Sequence, residues 1–149
     1  MHPLLQVVRR ALWASGMGAA ALLVAGCAEV SSPVPTGSNV ILSGNQEVPP
    51  VSSVATGSGT IKVLMDRSVF GSVMTAGIAG TAAHIHLGAS GQNGPVIIPL
   101  NRTADNTWSV PASIRLNDTQ YEAFRLGNLY VNVHSAANPG GEIRGQVMP

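Results

Sequence analysis

The chain has 149 residues and one cysteine, and its formal net charge is +1. That length suits one domain with a modest core, and a lone cysteine excludes an intramolecular disulfide. The near-neutral charge, without a basic patch, gives nucleic-acid binding no electrostatic basis.

Met1 to Gly26 has the layout of an export signal. Arg9 and Arg10 form a positive start, and Ala11 to Ala25 is an apolar run too short and too interrupted to span a bilayer. Val24-Ala25-Gly26-Cys27 then resembles the lipobox of bacterial lipoproteins, with Val24 where leucine is commoner. The resemblance implies cleavage before Cys27, diacylation of its thiol and a membrane anchor facing the periplasm or the exterior. The alternative is an ordinary secretory signal with an incidental cysteine. Without residues 1–26 the acidic residues outnumber the basic by one, and residues 27–37 read as a lipidated cysteine and Ser/Pro/Thr/Gly tether.

Residues 38–149 alternate short apolar runs with turn-rich breaks, which predicts an all-β, antiparallel Greek-key sandwich or barrel with one short helix. The first strand begins at Val40 to Leu42. Thr60 to Met65 alternates, and Val69 to Ala76 is a third run whose apolar residues fall on both faces. Ala83 to Leu87 precedes the loop Gly88 to Gly94, and Pro95 to Leu100 follows. Trp108 to Ile114 is expected as a strand at an edge or bulge, because Pro111 lacks an N–H. Asn117 and Gln120 form a capping-box pattern, Leu116 is placed to pack on Tyr121, and Gly127 suits the helix C-terminal cap. Leu129 to His134 and Glu142 to Val147 close the chain.

Five segments carry a further resemblance: Leu42 to Pro50, Ala82 to His86, Gly91 to Val96, Gly127 to His134 and Asn138 to Gln146. In this order they are similar to the CHRD domain, a family named after chordin and widespread in exported bacterial proteins. The resemblance spans about Ser38 to Met148 and implies a sandwich like that of Cu/Zn superoxide dismutase. Chordin's extracellular binding role does not transfer to this chain by fold alone.

Three histidines follow the signal. His84 and His86 are two apart on one strand and so share a face, opposite Ile85 and Leu87. Tyr130, Asn132 and His134 share a face of a later strand, opposite Val131 and Val133. With the aliphatic residues inward, all three histidines lie on the outer face and converge where the strands are neighbours. Such imidazoles suit copper or zinc and leave a coordination position open. Glu142 is placed to orient His134 from behind as a hydrogen-bonded carboxylate. The resemblance to superoxide dismutase stops there: no fourth histidine remains for its dinuclear site, and dismutase activity is not expected.

The expectation is therefore an envelope-anchored domain that binds copper or zinc through His84, His86 and His134 without catalytic turnover. The alternative is a module binding an envelope protein or matrix component, in which the histidines donate to loop carbonyls. Glu47 is read as capping loop amides, Glu142 and Arg144 as a solvated strand face, and Trp108 as core. No catalytic residue is assigned, since no Ser-His-acid arrangement is readable.

Overall fold

The computed structural model describes residues 36–149; the segments read as an export signal and, up to residue 35, as a tether, with Cys27 between them, lie outside the described residues. Nine strands form one antiparallel sheet: β1 (Thr36–Ser43), β2 (Thr56–Val63), β3 (Val69–Ala76), β4 (Gly80–Leu87), β5 (Val96–Pro99), β6 (Asn101–Ala104), β7 (Thr107–Ser109), β8 (Leu129–Ser135) and β9 (Ile143–Val147). Their spatial order is β5-β4-β8-β9-β1-β2-β3-β7-β6. The last strand thus returns beside the first and β4 pairs with β8, the Greek-key pattern expected from the sequence. β1 begins at Thr36, two residues inside the segment read as tether.

The two ends of this order are consecutive in the chain. β5 leaves the edge of β4 at Pro99, and β6 joins β7 from Asn101, with only Leu100 between them. The Leu100 N–H donates to the Ala83 carbonyl at 2.9 Å. Arg102 donates to the Gly80 carbonyl and lies 4.7 Å over the Trp108 ring. One segment therefore serves both edges and nearly closes the sheet into a barrel, leaving little free strand edge.

Period-2 alternation fills the interior. Val40 and Leu42 are buried while Ile41 between them is 63% exposed. In β3, Val69 and Val73 point inward and Phe70 and Met74 outward, which resolves the ambiguous third run. Each fully buried aliphatic side chain contributes about 1.5–3 kcal/mol relative to exposure.

Trp108 is core, as expected, but the strand there ends at Ser109 rather than Ile114. Pro111 removes a ladder donor, and Ser113 adopts a positive φ of 64°, so the expected Trp108–Ile114 face does not form. β6 was not legible, because all four of its residues are exposed.

The helix α1 (Asp118–Arg125) has the expected capping box: the Gln120 N–H donates to Asn117 Oδ1, and the Asn117 N–H to Gln120 Oε1. At its other end Gly127 has φ +70°, with the Gly127 N–H on the Phe124 carbonyl and the Asn128 N–H on the Ala123 carbonyl. That is a Schellman stop, which glycine adopts without Cβ strain. No helix among the described residues is long and apolar enough to cross a membrane.

Candidate metal centre

β4 and β8 are direct neighbours, and their register assembles the histidines. His84 lies opposite Asn132, His86 opposite Tyr130, and His134 opposite Ala82. Ala83, Ile85, Val131 and Val133 face the core, which turns His84, His86, Tyr130, Asn132 and His134 to the other side. Ligand atoms of the three histidines all lie within 4.8 Å of one another. The closest pair is His84 Nδ1 and His134 Nε2, at 2.9 Å.

Two of the rings are oriented by loop carbonyls. His86 Nδ1 lies 2.9 Å from the Gly94 carbonyl, and His134 Nδ1 lies 3.0 Å from the Pro139 carbonyl. A carbonyl only accepts, so both nitrogens carry the proton and both rings present an Nε2 lone pair to the cluster. His86 Nε2 is buried and has no hydrogen-bond partner. The donation to loop carbonyls that would make the histidines structural therefore coexists with a free ligand atom on His86, while His134 Nε2 meets His84 Nδ1. His84 has no carbonyl partner and is only partly buried; its Nδ1 meets the Nε2 lone pair of His134 and so carries the proton.

Desolvation is the main cause that holds the pKa of His84 below its ordinary value, with the charges of His134 and His86 adding to it. Burial does the same to His86, opposed by the Gly94 carbonyl and the Asn132 side chain. Both rings thus stay neutral near pH 7, the form that binds metals.

The face is outer in register but covered by loops. His86 is only 8% exposed, because the Gly88 to Gly94 loop folds over it and Tyr130 stacks on it at 4.7 Å with rings 8° from parallel. Arg144 corrects the expectation of a solvated face: it is 1% exposed and its guanidinium lies 3.4 Å over the Tyr130 ring. It donates to the Ala89 carbonyl at 3.0 Å and Asn93 Oδ1 at 3.4 Å, and Gln146 donates to the Gly88 carbonyl at 2.8 Å. The alternation of β9 was legible; the loop that covers one of its faces was not.

Glu142 sits just before β9 and turns elsewhere. Its carboxylate accepts from Ser53 Oγ at 2.7 Å and from Ser135 Oγ, and these hydroxyls hold its pKa below the usual carboxylate value. The Pro139 carbonyl, not Glu142, occupies His134 Nδ1. No Glu142–Arg144 ion pair forms among the described residues.

Glu47 is 5% exposed, and burial raises its carboxyl to about 7 against the pull of Arg144 and the Val48 amide. The Val48 amide supplies part of the expected capping, but Glu47 Oε1 has no partner. Tyr130 and Asn132 lie on the face of β8 that the sequence placed them on, with His134, and what the sequence reading missed is their burial beneath the loop together with Arg144. The Tyr130-x-Asn132-x-His134 alternation was the signal for that face.

A nearly closed Greek-key barrel with a loop-covered cluster of three imidazoles is the class of protein that fold and site define. The chain belongs to the CHRD domain family, whose model matches residues 38–147, essentially the whole described barrel. Neither the comparison with curated proteins nor that with solved structures gave a match.

Proposed function

We propose that this protein is an envelope lipoprotein whose CHRD domain binds one copper or zinc ion through His84, His86 and His134, without catalytic turnover. The observation that carries the reading is His86 Nε2, a buried lone pair with no donor, beside two further imidazoles. An unsatisfied buried polar atom costs about 1–3 kcal/mol, a cost that a bound cation removes. Neutral imidazoles are suitable donors for either metal and leave a fourth position. Zn–N bonds of about 2.0–2.1 Å in a tetrahedral site place two ligand nitrogens about 3.4 Å apart. A spread of up to 4.8 Å therefore closes by side-chain adjustment of about 1.5 Å. The groups touching the rings are loop carbonyls and a phenol ring, which support holding a metal rather than turning over a substrate.

The anchor rests on the lipobox-like sequence around Cys27. The residues between Cys27 and Thr36 reach at most about 30 Å when extended, which would keep the barrel close to the membrane surface. Copper(II) titration of the purified full chain, followed by electron paramagnetic resonance, tests the site. One equivalent with nitrogen hyperfine structure supports it; copper bound without nitrogen coupling contradicts it.

A second reading, an interaction module for an envelope protein, is supported by a separate face. Ile41, Ser58 and Met74 lie in register across β1, β2 and β3, with Ile41 63% and Met74 62% exposed. Replacing Ile41 and Met74 with serine is expected to abolish any such association while leaving metal content unchanged.

A further inference from the structure

Asn132 is a second incomplete group at the same site. It is 3% exposed, and its Oδ1 has no hydrogen-bond partner. In the sheet it lies directly opposite His84 and two residues from His134 on the same face of β8. It therefore stands among the imidazoles rather than at their margin.

The other end of its amide indicates which way the oxygen points. A Cβ at Gly141 would sit 2.8 Å from Asn132 Nδ2 and 2.5 Å from Glu47 Oε1. The amide nitrogen and the carboxyl oxygen thus border the same small space, which Gly141 leaves open by lacking a side chain. Asn132 Nδ2 is therefore the amide atom on the side of Gly141 and Glu47, and Oδ1 is the other end of the same planar amide.

His86 Nε2 and Asn132 Oδ1 are thus two buried acceptors on adjoining strands, and neither has a donor. Two lone pairs left this way are costly to bury, and a cation between them satisfies both. We propose that Asn132 Oδ1 is the fourth, oxygen ligand of the metal held by His84, His86 and His134. The inference rests on the three-imidazole reading and adds a donor to it. Three imidazoles and one amide oxygen suit a divalent ion and disfavour Cu(I), which selects softer sulfur donors.

The test is Co(II) titration of the purified full chain, comparing the parent with Asn132→Ala and Asn132→Asp. Cobalt reports its own coordination through its visible absorption. Asn132→Ala is expected to weaken binding by at least about tenfold and to shift the visible bands. Asn132→Asp keeps the shape, adds a negative charge and is expected to tighten binding by a similar factor. A parent that binds one equivalent, with both variants unchanged in affinity and spectrum, overturns the Asn132 assignment and leaves the imidazole site standing. A parent that binds none of Co(II), Zn(II) and Cu(II) overturns both. Should Asn132→Ala fail to fold by circular dichroism, Asn132→Asp decides alone, and unchanged binding overturns the assignment.

Discussion

His84 Nδ1 and His134 Nε2 face each other at 2.9 Å although the two residues are not register partners. His134 has its proton on Nδ1, held by the Pro139 carbonyl, so in the metal-free protein His84 must be the donor. To hold a metal through Nδ1, His84 would have to carry its proton on Nε2 instead. His84 and His86 need no net deprotonation near neutrality, because burial already keeps both below their ordinary value of 6.5. Their protonation is therefore expected to leave zinc affinity unchanged between about pH 8 and pH 7 and to weaken it as pH falls through their lowered values, below 6.5. Calorimetric titrations across that range check it; affinity that climbs steadily up to pH 8 contradicts it.

His86→Ala removes the buried lone pair, the bond to the Gly94 carbonyl and the stack on Tyr130. Stoichiometric metal is expected to disappear, at a stability cost of about 1–3 kcal/mol. Urea unfolding beside metal analysis checks both. Loss of folding in the variant, with no metal in the parent, assigns the ring a structural role instead.

Glu47 and the histidines act on stability with opposite signs. The Glu47 carboxyl has a folded pKa of about 7, above its unfolded value of 4.5. Its contribution is therefore complete below pH 4.5 and lost as pH rises through about 7. His84 and His86 have folded values below 6.5, so their contribution is present above 6.5 and lost as pH falls through the lowered values. Glu47→Gln isolates the carboxyl. The variant is expected to be more stable than the parent at pH 8, by up to about 3 kcal/mol, and to match it near pH 4.5. Equal denaturation midpoints at both pH values would show that the buried carboxyl carries no such cost.

Arg144 holds the covering loop through a planar stack on Tyr130 and donation to the Ala89 carbonyl. Lysine keeps the charge but not the flat donor fork. Arg144→Lys is expected to cost about 2–3 kcal/mol and to speed amide exchange between Gly88 and Gly94. Hydrogen exchange that matches the parent across the loop argues against this role.

The strands and the face on which each histidine lies were legible because both follow from period-2 alternation. His84 with His86, and Asn132 with His134, could be placed by counting residues. That β4 neighbours β8 was only a condition in the sequence, since register between strands 50 residues apart depends on the whole barrel. Arg144 shows the limit most clearly. Alternation put it on the non-core face of β9, and a charged residue there ordinarily meets water. The loop from Gly88 to Gly94 covers that face, and loop placement has no periodic signature. Glu142 illustrates the same limit: it is close in sequence to His134, yet Ser53 and Ser135 take its carboxylate.

Cys27→Ser tests the anchor separately from the site. The full chain is expected to partition with membranes and to incorporate labelled palmitate, and the variant to do neither. Unchanged membrane partitioning of the variant contradicts a lipid anchor at Cys27.

The central claim is a metal held by three imidazoles, and elemental analysis of the purified full chain beside a His84→Ala/His86→Ala/His134→Ala variant tests it most directly. Near-stoichiometric copper or zinc in the parent, or uptake of one equivalent on titration, is expected, and neither in the variant. A parent that contains no metal and takes up neither ion, or a triple variant that binds as the parent does, would contradict it.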